Sequence, residues 1–184
     1  MEFITMKSEA YLDSKEIWLE KIMMEYGDRM IRIAYSYLKD WGTAQETVQE
    51  VFITCYNRYE QYYHADNFKA LIYRITINRC KDLLRSALIK KVIVGTDFFT
   101  LHKTKDPSPE NLFIQSDENA FITEMVLSLP VKYREAILLF YYENLSIEEI
   151  SKMLKTNKNT IKSRLKRARE LLRNILEGSD QYEK

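Results

Sequence analysis

The sequence predicts an all-α protein of two small helical domains joined by a linker, the C-terminal domain carrying a helix-turn-helix. Only 4 of the 184 residues are Gly and 3 are Pro, while Leu, Ile, Glu, Lys and Tyr are abundant. Apolar residues recur at spacings of three and four along most of the chain, as in amphipathic helices. This periodicity fades from Ser86 to Asp117. We therefore expect domains at 1–86 and 118–184, with a linker at 87–117.

The first domain is predicted to contain four helices. Their apolar stripes cover residues 16–24, 28–38, 43–59 and 68–84. Gly27 marks a break between the first two. The quartet Thr43–Glu46 matches a capping box and predicts where the third helix starts. A polar and aromatic interval, 60–67, separates the third helix from the fourth and is expected to be irregular.

In the second domain, two helix starts are visible and a third is inferred. Ser128–Pro130 predicts one start, and Ser146–Glu149 is a capping box that opens a short helix. The pattern then breaks, and Thr156 or Asn157 can cap the next helix. The apolar stripe of that helix comprises Ile161, Leu165, Ala168, Leu172 and Ile175. Two helices with a tight turn between them form the helix-turn-helix layout.

The last helix is basic on the face opposite its apolar stripe. That face carries Asn159, Lys162, Ser163, Lys166 and Arg167. Residues 150–173 hold nine basic residues and one acidic residue, net +8, whereas residues 106–149 hold two basic and nine acidic residues, net −7. Such a helix suits a DNA major groove, where cations contact phosphates or guanine and polar side chains read base edges. The alternative is a basic helix that is merely solvated.

A second basic stretch lies in the first domain. Residues 68–91 hold seven basic residues against one acidic residue, net +6. Aromatic side chains precede it, at Tyr56, Tyr59, Tyr62 and Tyr63. Rings beside cations are what single-stranded nucleic acid requires, because bases stack on the rings while cations follow the backbone. The tyrosines are also spaced for core packing, so both interpretations stay open.

Other function classes find little support. Cys55 and Cys80 lie in apolar, periodic contexts without metal-ligand spacing, so we expect buried free thiols in a reducing cytoplasm. His64 and His102 are isolated, and the sequence has no Gly-rich phosphate loop, zinc spacing or catalytic triad. We expect no enzymatic activity, no metal, no cofactor and no small-molecule substrate. No apolar run reaches the ~18 residues of a membrane span.

Three motifs in order resemble the extracytoplasmic-function (ECF) RNA polymerase sigma factors of the sigma-70 superfamily. Gln45–Phe52 is similar to the family's helix that docks on the polymerase clamp. Phe68–Arg79 with Asp82–Arg85 is similar to its promoter-melting helix. Thr160–Arg169 is similar to its recognition helix. The resemblance covers roughly 26–85 and 119–176. The family usually has Trp at Leu71, and often Gly at Lys155 and Asn159.

The resemblance implies three groups of site residues. Those expected to bind core polymerase are Glu46, Gln49, Glu50 and Phe52, with core packing as the alternative for Phe52. Those expected to bind and melt the minus-10 element are Tyr62, Tyr63, Lys69, Arg74, Asn78 and Arg79. Those expected to read the minus-35 duplex are Lys158, Asn159, Thr160, Lys162, Ser163, Arg164, Lys166 and Arg167.

The resemblance also implies the partners. They are the RNA polymerase core (the clamp of the beta-prime subunit and the flap of the beta subunit), promoter DNA, and an anti-sigma factor whose anchoring in the membrane is left open. Two other classes of function remain as alternatives. A stand-alone helix-turn-helix regulator would need a dimer interface and a sensor site. An all-helical interaction module, such as an anti-sigma partner, would not need a DNA-reading face.

Overall fold

The computed structural model describes residues 2–94 and 117–179, with side chains described for 14–87 and 121–177. The chain divides into two compact units, Met1–His102 and Lys103–Lys184. Most of the described residues are helical and none lies in a strand, which confirms the predicted all-α class. Most of the predicted linker, from residue 95 to residue 116, lies outside the described residues, so the linker stays a prediction.

Four helices form the described part of the first unit. They are α1 (Glu2–Leu38), α2 (Trp41–Asn57), α3 (Tyr59–Tyr63) and α4 (Phe68–Val94). The predicted break at Gly27 is wrong, because α1 passes through it without interruption. A Cβ at Gly27 would meet nothing within 4 Å, so no close approach requires a glycine here. One helical Gly costs about 1 kcal/mol, less than the burial of Tyr26 and Met30 on either side returns.

The start of α2 also differs from the prediction. Asp40, not Thr43, is the N-cap: its Oδ1 accepts from the Thr43 N–H and from the Thr43 hydroxyl, both at 2.7 Å. The preceding Lys39 adopts a left-handed backbone with φ of 59°, which ends α1. The chain therefore turns three residues earlier than a cap at Thr43 would require, and the capping box at Thr43–Glu46 is not formed.

The interval predicted to be irregular is partly helical. Tyr59–Tyr63 forms the short helix α3, and a turn follows. Asn67 then caps α4, since its Oδ1 accepts from the Ala70 N–H at 2.9 Å. The predicted separation of two long helices is therefore correct, but the aromatic half of the interval has a regular backbone.

Helices α1, α2 and α4 pack together around the core of the first unit. Its most deeply buried side chains include Met30, Val51, Ile72, Tyr73 and Ile77. Cys55 and Cys80 are buried free thiols, as predicted, and burial raises the pKa of each to about 12. A thiol with such a pKa stays protonated at neutral pH, so both residues act as small apolar core groups.

The second unit is built from shorter helices. They are α5 (Asp117–Ser128), α6 (Val131–Ile137), a π-helical turn (Leu138–Tyr142), α7 (Ile147–Leu154) and α8 (Lys158–Ser179). Pro130 precedes α6 as its N-cap residue, which confirms the predicted start. Helix α8 packs against α5, α6 and α7. In the part of the chain that the structure describes, no helix is long and apolar enough to cross a bilayer.

Candidate functional site

The capping box at the start of α7 is formed as predicted. The Ser146 hydroxyl accepts from the Glu149 N–H at 3.2 Å, and the Glu149 carboxylate accepts from the Ser146 N–H at 2.8 Å. Two backbone donors that would otherwise lack partners are thereby satisfied. This fixes the start of the first helix of the helix-turn-helix.

The turn between α7 and α8 depends on a left-handed residue. Lys155 has φ 50° and ψ 46°, a left-handed conformation that glycine adopts more readily than lysine. The Thr156 N–H donates to the Ser151 carbonyl at 3.0 Å, and the Ser151 hydroxyl donates to the Thr156 carbonyl at 2.6 Å. These two bonds hold the turn closed.

Of the two residues proposed to cap α8, the structure uses Asn157. Its Oδ1 accepts from the Asn159 N–H at 2.8 Å, and its carbonyl accepts the first helical bond from the Ile161 N–H at 3.1 Å. Asn159, where the family often has Gly, lies within the helix itself. The N-terminal turn of α8, the end that enters a major groove in this motif, is therefore well defined.

The outward face of α8 presents most of the predicted minus-35 residues together. Ile161, Leu165 and Ala168 are buried and attach the helix to its unit. Seven of the eight predicted residues are exposed: Lys158, Asn159, Thr160, Lys162, Ser163, Lys166 and Arg167. Cations and short polar groups thus share one accessible surface above an apolar base, which is the arrangement a groove-reading helix needs.

Two of these cations form surface ion pairs. Arg167 lies 3.1 Å from Glu170, one turn further along α8. Lys158 lies 3.0 Å from Glu148, which also holds Lys152 at 3.1 Å. Hydrogen bonds from Lys158 and Lys152 lower the pKa of the Glu148 carboxyl. Exposed pairs are worth only about 0–1 kcal/mol, so DNA phosphates can displace the acids.

Arg164 differs from the rest of the predicted set. Its side chain is only 24% exposed, and its Nη1 lies 3.5 Å from Oε2 of Glu135, which is 4% exposed. Glu135 belongs to α6, the helix beneath α8. Arg164 is therefore held at the side of the recognition helix, between its buried stripe and its outward face.

In the first unit, the predicted core-binding residues separate into two groups. Glu46, Gln49 and Glu50 are exposed on α2, within little more than one turn. Phe52 is 6% exposed and packs in the core, which favours the packing alternative for this residue. Val48 and Val51 are also buried, as expected for packing residues.

Sequence reasoning missed one residue of this surface. Ile53 is 60% exposed and follows Gln49 by four residues and Glu50 by three, so it shares their face of α2. An apolar side chain out of phase with the buried stripe was the signal that could have identified it. Acidic and amide groups around an exposed isoleucine form a surface suited to a protein partner.

Glu50 also contacts a residue predicted to bind the minus-10 element. Its Oε2 lies 2.6 Å from Nε of Arg79 on α4, and this hydrogen bond raises the pKa of the Arg79 guanidinium. The two side chains are about half exposed and line a shallow depression together with Val51, Thr54 and Ile75. The two predicted interfaces are thus adjacent and share an ion pair.

The remaining minus-10 residues are not all brought together. Arg74 and Asn78 are exposed one turn apart on α4, while Lys69 is half-buried in its first turn. Tyr63 is 53% exposed, with its ring 5.1 Å from the ring of His64. Arg74 and Asn78 are therefore accessible on one face of α4. Tyr63, which precedes α4 in the sequence, presents an accessible aromatic ring.

Tyr62 occupies a different environment from Tyr63. It is 6% exposed, and its hydroxyl accepts from Nη1 of Arg58 at 3.4 Å. Tyr63 instead packs its edge near Trp18, with ring centroids 6.4 Å apart. Of the two tyrosines predicted to bind the minus-10 element, only Tyr63 presents a ring to solvent.

Comparison with known proteins places these surfaces in a family. The family model for Sigma-70 region 2 matches residues 22–88, and the model for Sigma-70, region 4 matches residues 122–172. These ranges contain α2, most of α4 and the helix-turn-helix. They therefore include the acidic face of α2 and the basic face of α8 described above.

Relatives in curated collections point the same way. The chain is 31% identical over 158 residues to the ECF RNA polymerase sigma factor SigE of Mycolicibacterium smegmatis, covering 85% of this chain and 61% of that protein. It is 30% identical over 149 residues to the RNA polymerase sigma factor SigV of Bacillus subtilis, covering 81% and 85%. It is 29% identical over 158 residues to the ECF RNA polymerase sigma factor SigW of Bacillus subtilis, covering 82% and 84%.

Solved structures show the same fold at lower identity. The sigma factor RpoE of Bartonella quintana, in complex with the anti-sigma factor NepR, has a TM-score of 0.65 at 20% identity, covering 86% of this chain and 96% of that chain. CnrH, in complex with the cytosolic domain of CnrY, has a TM-score of 0.59 at 20% identity, covering 87% and 88%. Together, the matched regions and relatives show that the chain belongs to the sigma-70 family of RNA polymerase sigma factors, in its extracytoplasmic-function group.

Proposed function

We propose that this protein is a dissociable initiation subunit that directs bacterial RNA polymerase core to specific promoters. In this proposal, the second unit reads the minus-35 duplex with the outward face of α8. The first unit binds core through α2 and opens the minus-10 element with α3 and α4. The observation that carries the proposal is the presence, on one chain, of an exposed basic reading face on α8 and an exposed acidic face on α2.

The acidic face of α2 is the proposed contact with the clamp of the beta-prime subunit. Glu46, Gln49 and Glu50 supply charge and hydrogen-bond acceptors, and Ile53 supplies apolar area at the same surface. Charged groups steer association and set the register, while a buried apolar anchor contributes to the lifetime of a complex. We further propose that the second unit contacts the flap of the beta subunit. Polymerisation chemistry belongs to core, and this chain catalyses no reaction itself.

We also propose that an anti-sigma factor regulates the protein in the cytoplasm. The support is that two solved neighbours of the same fold are described in complex with other proteins, an anti-sigma factor in one case and the cytosolic domain of CnrY in the other. An anti-sigma factor anchored in the membrane would hold the protein at the membrane before induction.

Reconstitution with purified core polymerase tests the proposal. The protein should co-purify with core, and the complex should retain particular DNA fragments from a random pool that neither component retains alone. A stand-alone regulator would select the same DNA without core and would not co-purify with it. That result would replace the proposed function with the alternative.

A further inference from the structure

A partly buried ion pair connects the recognition helix to the helix beneath it. Arg164 of α8 lies 3.5 Å from Glu135 of α6, and the two side chains are 24% and 4% exposed. The neighbouring Arg134 is buried as well, and its Nη2 donates to the Leu129 carbonyl at 2.6 Å. This hydrogen bond ties α6, through the residue next to Glu135, to the segment before the helix.

The position of Arg164 on α8 defines what this pair can control. Arg164 follows the buried Ile161 by three residues, about 60° around the helix axis from it, and precedes Arg167 by three. Apolar packing of Ile161 and Leu165 holds α8 on its unit but is non-directional. A guanidinium bonded to a fixed carboxylate restrains rotation of the helix about its own axis.

We expect the ion pair to affect the orientation of α8 more than the folding free energy. Desolvating a carboxylate and a guanidinium offsets most of their attraction, so a buried pair adds little net folding free energy. Placing two opposite charges so that they meet nevertheless selects one arrangement of the helices over others. A small rotation of α8 would move its exposed reading side chains relative to base edges, where hydrogen bonds tolerate little displacement.

We infer that Glu135 is a positioning residue for minus-35 recognition and that Arg164 is its counterpart on α8, not a contact to DNA. This inference rests on the proposed function, since it concerns how the same surface reads its duplex. Glu135 is too buried to touch DNA, so any effect of Glu135 on base preference must pass through the orientation of α8.

The test uses the full chain reconstituted with core polymerase. The variants are Glu135→Gln, Arg164→Gln and both together, with Arg173→Gln as the matched control, because Arg173 is exposed on α8 outside the predicted reading set. Affinities are measured for a duplex selected by the parent protein from a randomised pool, and for a scrambled duplex, over a series of salt concentrations. Thermal unfolding of each variant is followed in parallel.

Both single variants should lower the preference for the selected duplex at least about fivefold, the lower limit for misaligning one base contact. The double variant should be no worse than either single one, because both remove the same interaction. The dependence of affinity on salt should match that of the parent, whereas loss of a phosphate contact would reduce its slope by about 1. Arg173→Gln should retain the parent's preference.

Two results would overturn the inference. One is unchanged preference in Glu135→Gln with reduced preference in Arg164→Gln, which would make Arg164 a base contact. The other is a reduced salt slope in Arg164→Gln, which would make it a phosphate contact. If Glu135→Gln does not fold, Arg164→Gln decides, since parental preference in that variant contradicts the positioning role. A parent protein that prefers no duplex refutes the proposed function instead.

Discussion

Reversing two charges on α2 should separate core binding from folding. In the double variant Glu46→Lys with Glu50→Lys, the attraction between Glu50 and Arg79 is replaced by a repulsion between two positive charges. Both side chains are about half exposed, so the attraction is worth about 0–1 kcal/mol and the repulsion at most a similar amount. Folding stability should therefore fall by no more than about 2 kcal/mol.

The expected effect on core binding is larger. Truncating one partner of a hydrogen-bonded interfacial charge pair costs about 2–5 kcal/mol, and reversal adds repulsion. Two such losses predict that affinity for core falls at least a hundredfold, on the order of 3 kcal/mol or more. Titration of labelled protein with core polymerase measures this affinity, and circular dichroism with thermal unfolding measures the fold.

The matched control reverses two exposed carboxylates with the same spacing on α1, Glu16→Lys with Glu20→Lys. It changes net charge equally, so any general electrostatic effect on association appears in both variants. Parental affinity for core in the folded α2 variant would refute the assignment of this face and leave its acids as a solvated surface. Equal losses in both variants would indicate a charge effect that is not specific to α2.

Four further outcomes are expected. Arg167→Ala should cost about 1–3 kcal/mol of binding to the preferred minus-35 duplex and less on a scrambled one, whereas equal losses would indicate a phosphate contact. Tyr63→Ala should slow promoter opening in permanganate footprinting without weakening minus-35 binding or folding stability, whereas Tyr62→Ala, at a buried ring, should lose about 3–5 kcal/mol of folding stability. Lys155→Gly should raise stability to thermal unfolding by up to about 1 kcal/mol, because it relieves a φ of 50°, and unchanged stability would show that the turn is not strained. The pKa of Glu148 is lowered in the folded protein, so its ion pairs stabilise the fold above the usual pKa of 4.5. This stabilisation is lost as the pH falls through the lowered pKa. Glu148→Gln should therefore reduce the acid sensitivity of thermal unfolding in that pH range.

Local signals in the sequence predicted the second unit well. The pattern Ser146–Glu149 is confined to four residues, and both of its reciprocal hydrogen bonds are formed. The buried stripe of α8 follows directly from its periodicity, so its outward face follows too. A capping box and a strong amphipathic period therefore sufficed to locate the helix-turn-helix.

The starts and ends of helices in the first unit were less predictable. Asp40 and Thr43 both carry a capping side chain within one turn, and the left-handed Lys39 decides between them. Gly27 is a helix breaker by intrinsic propensity, yet packing on both sides of it outweighs that preference. The first error is a choice between two local capping signals, and the second comes from tertiary packing that outweighs a weak local preference.

Details of the site depended on contacts that are distant in sequence. Arg164 is one of several cations on α8, and its partner Glu135 lies 29 residues earlier, so no local pattern distinguishes it. Tyr62 and Tyr63 are adjacent in an interval without periodicity, and only the phase of α3 shows which ring is buried. Sequence reasoning could assemble these candidates but not assign each to a surface or to the interior.

The most direct test of the central claim is selection of DNA by reconstituted holoenzyme. Purified protein and core polymerase are mixed with random promoter-length fragments, and the fragments that the mixture retains are sequenced. The account predicts enrichment of two separated sequence blocks, a minus-35 block lost in a variant of the α8 face and a minus-10 block at which the strands open. The account would be contradicted if the same sequences were enriched without core polymerase, or if the complete mixture enriched no sequence.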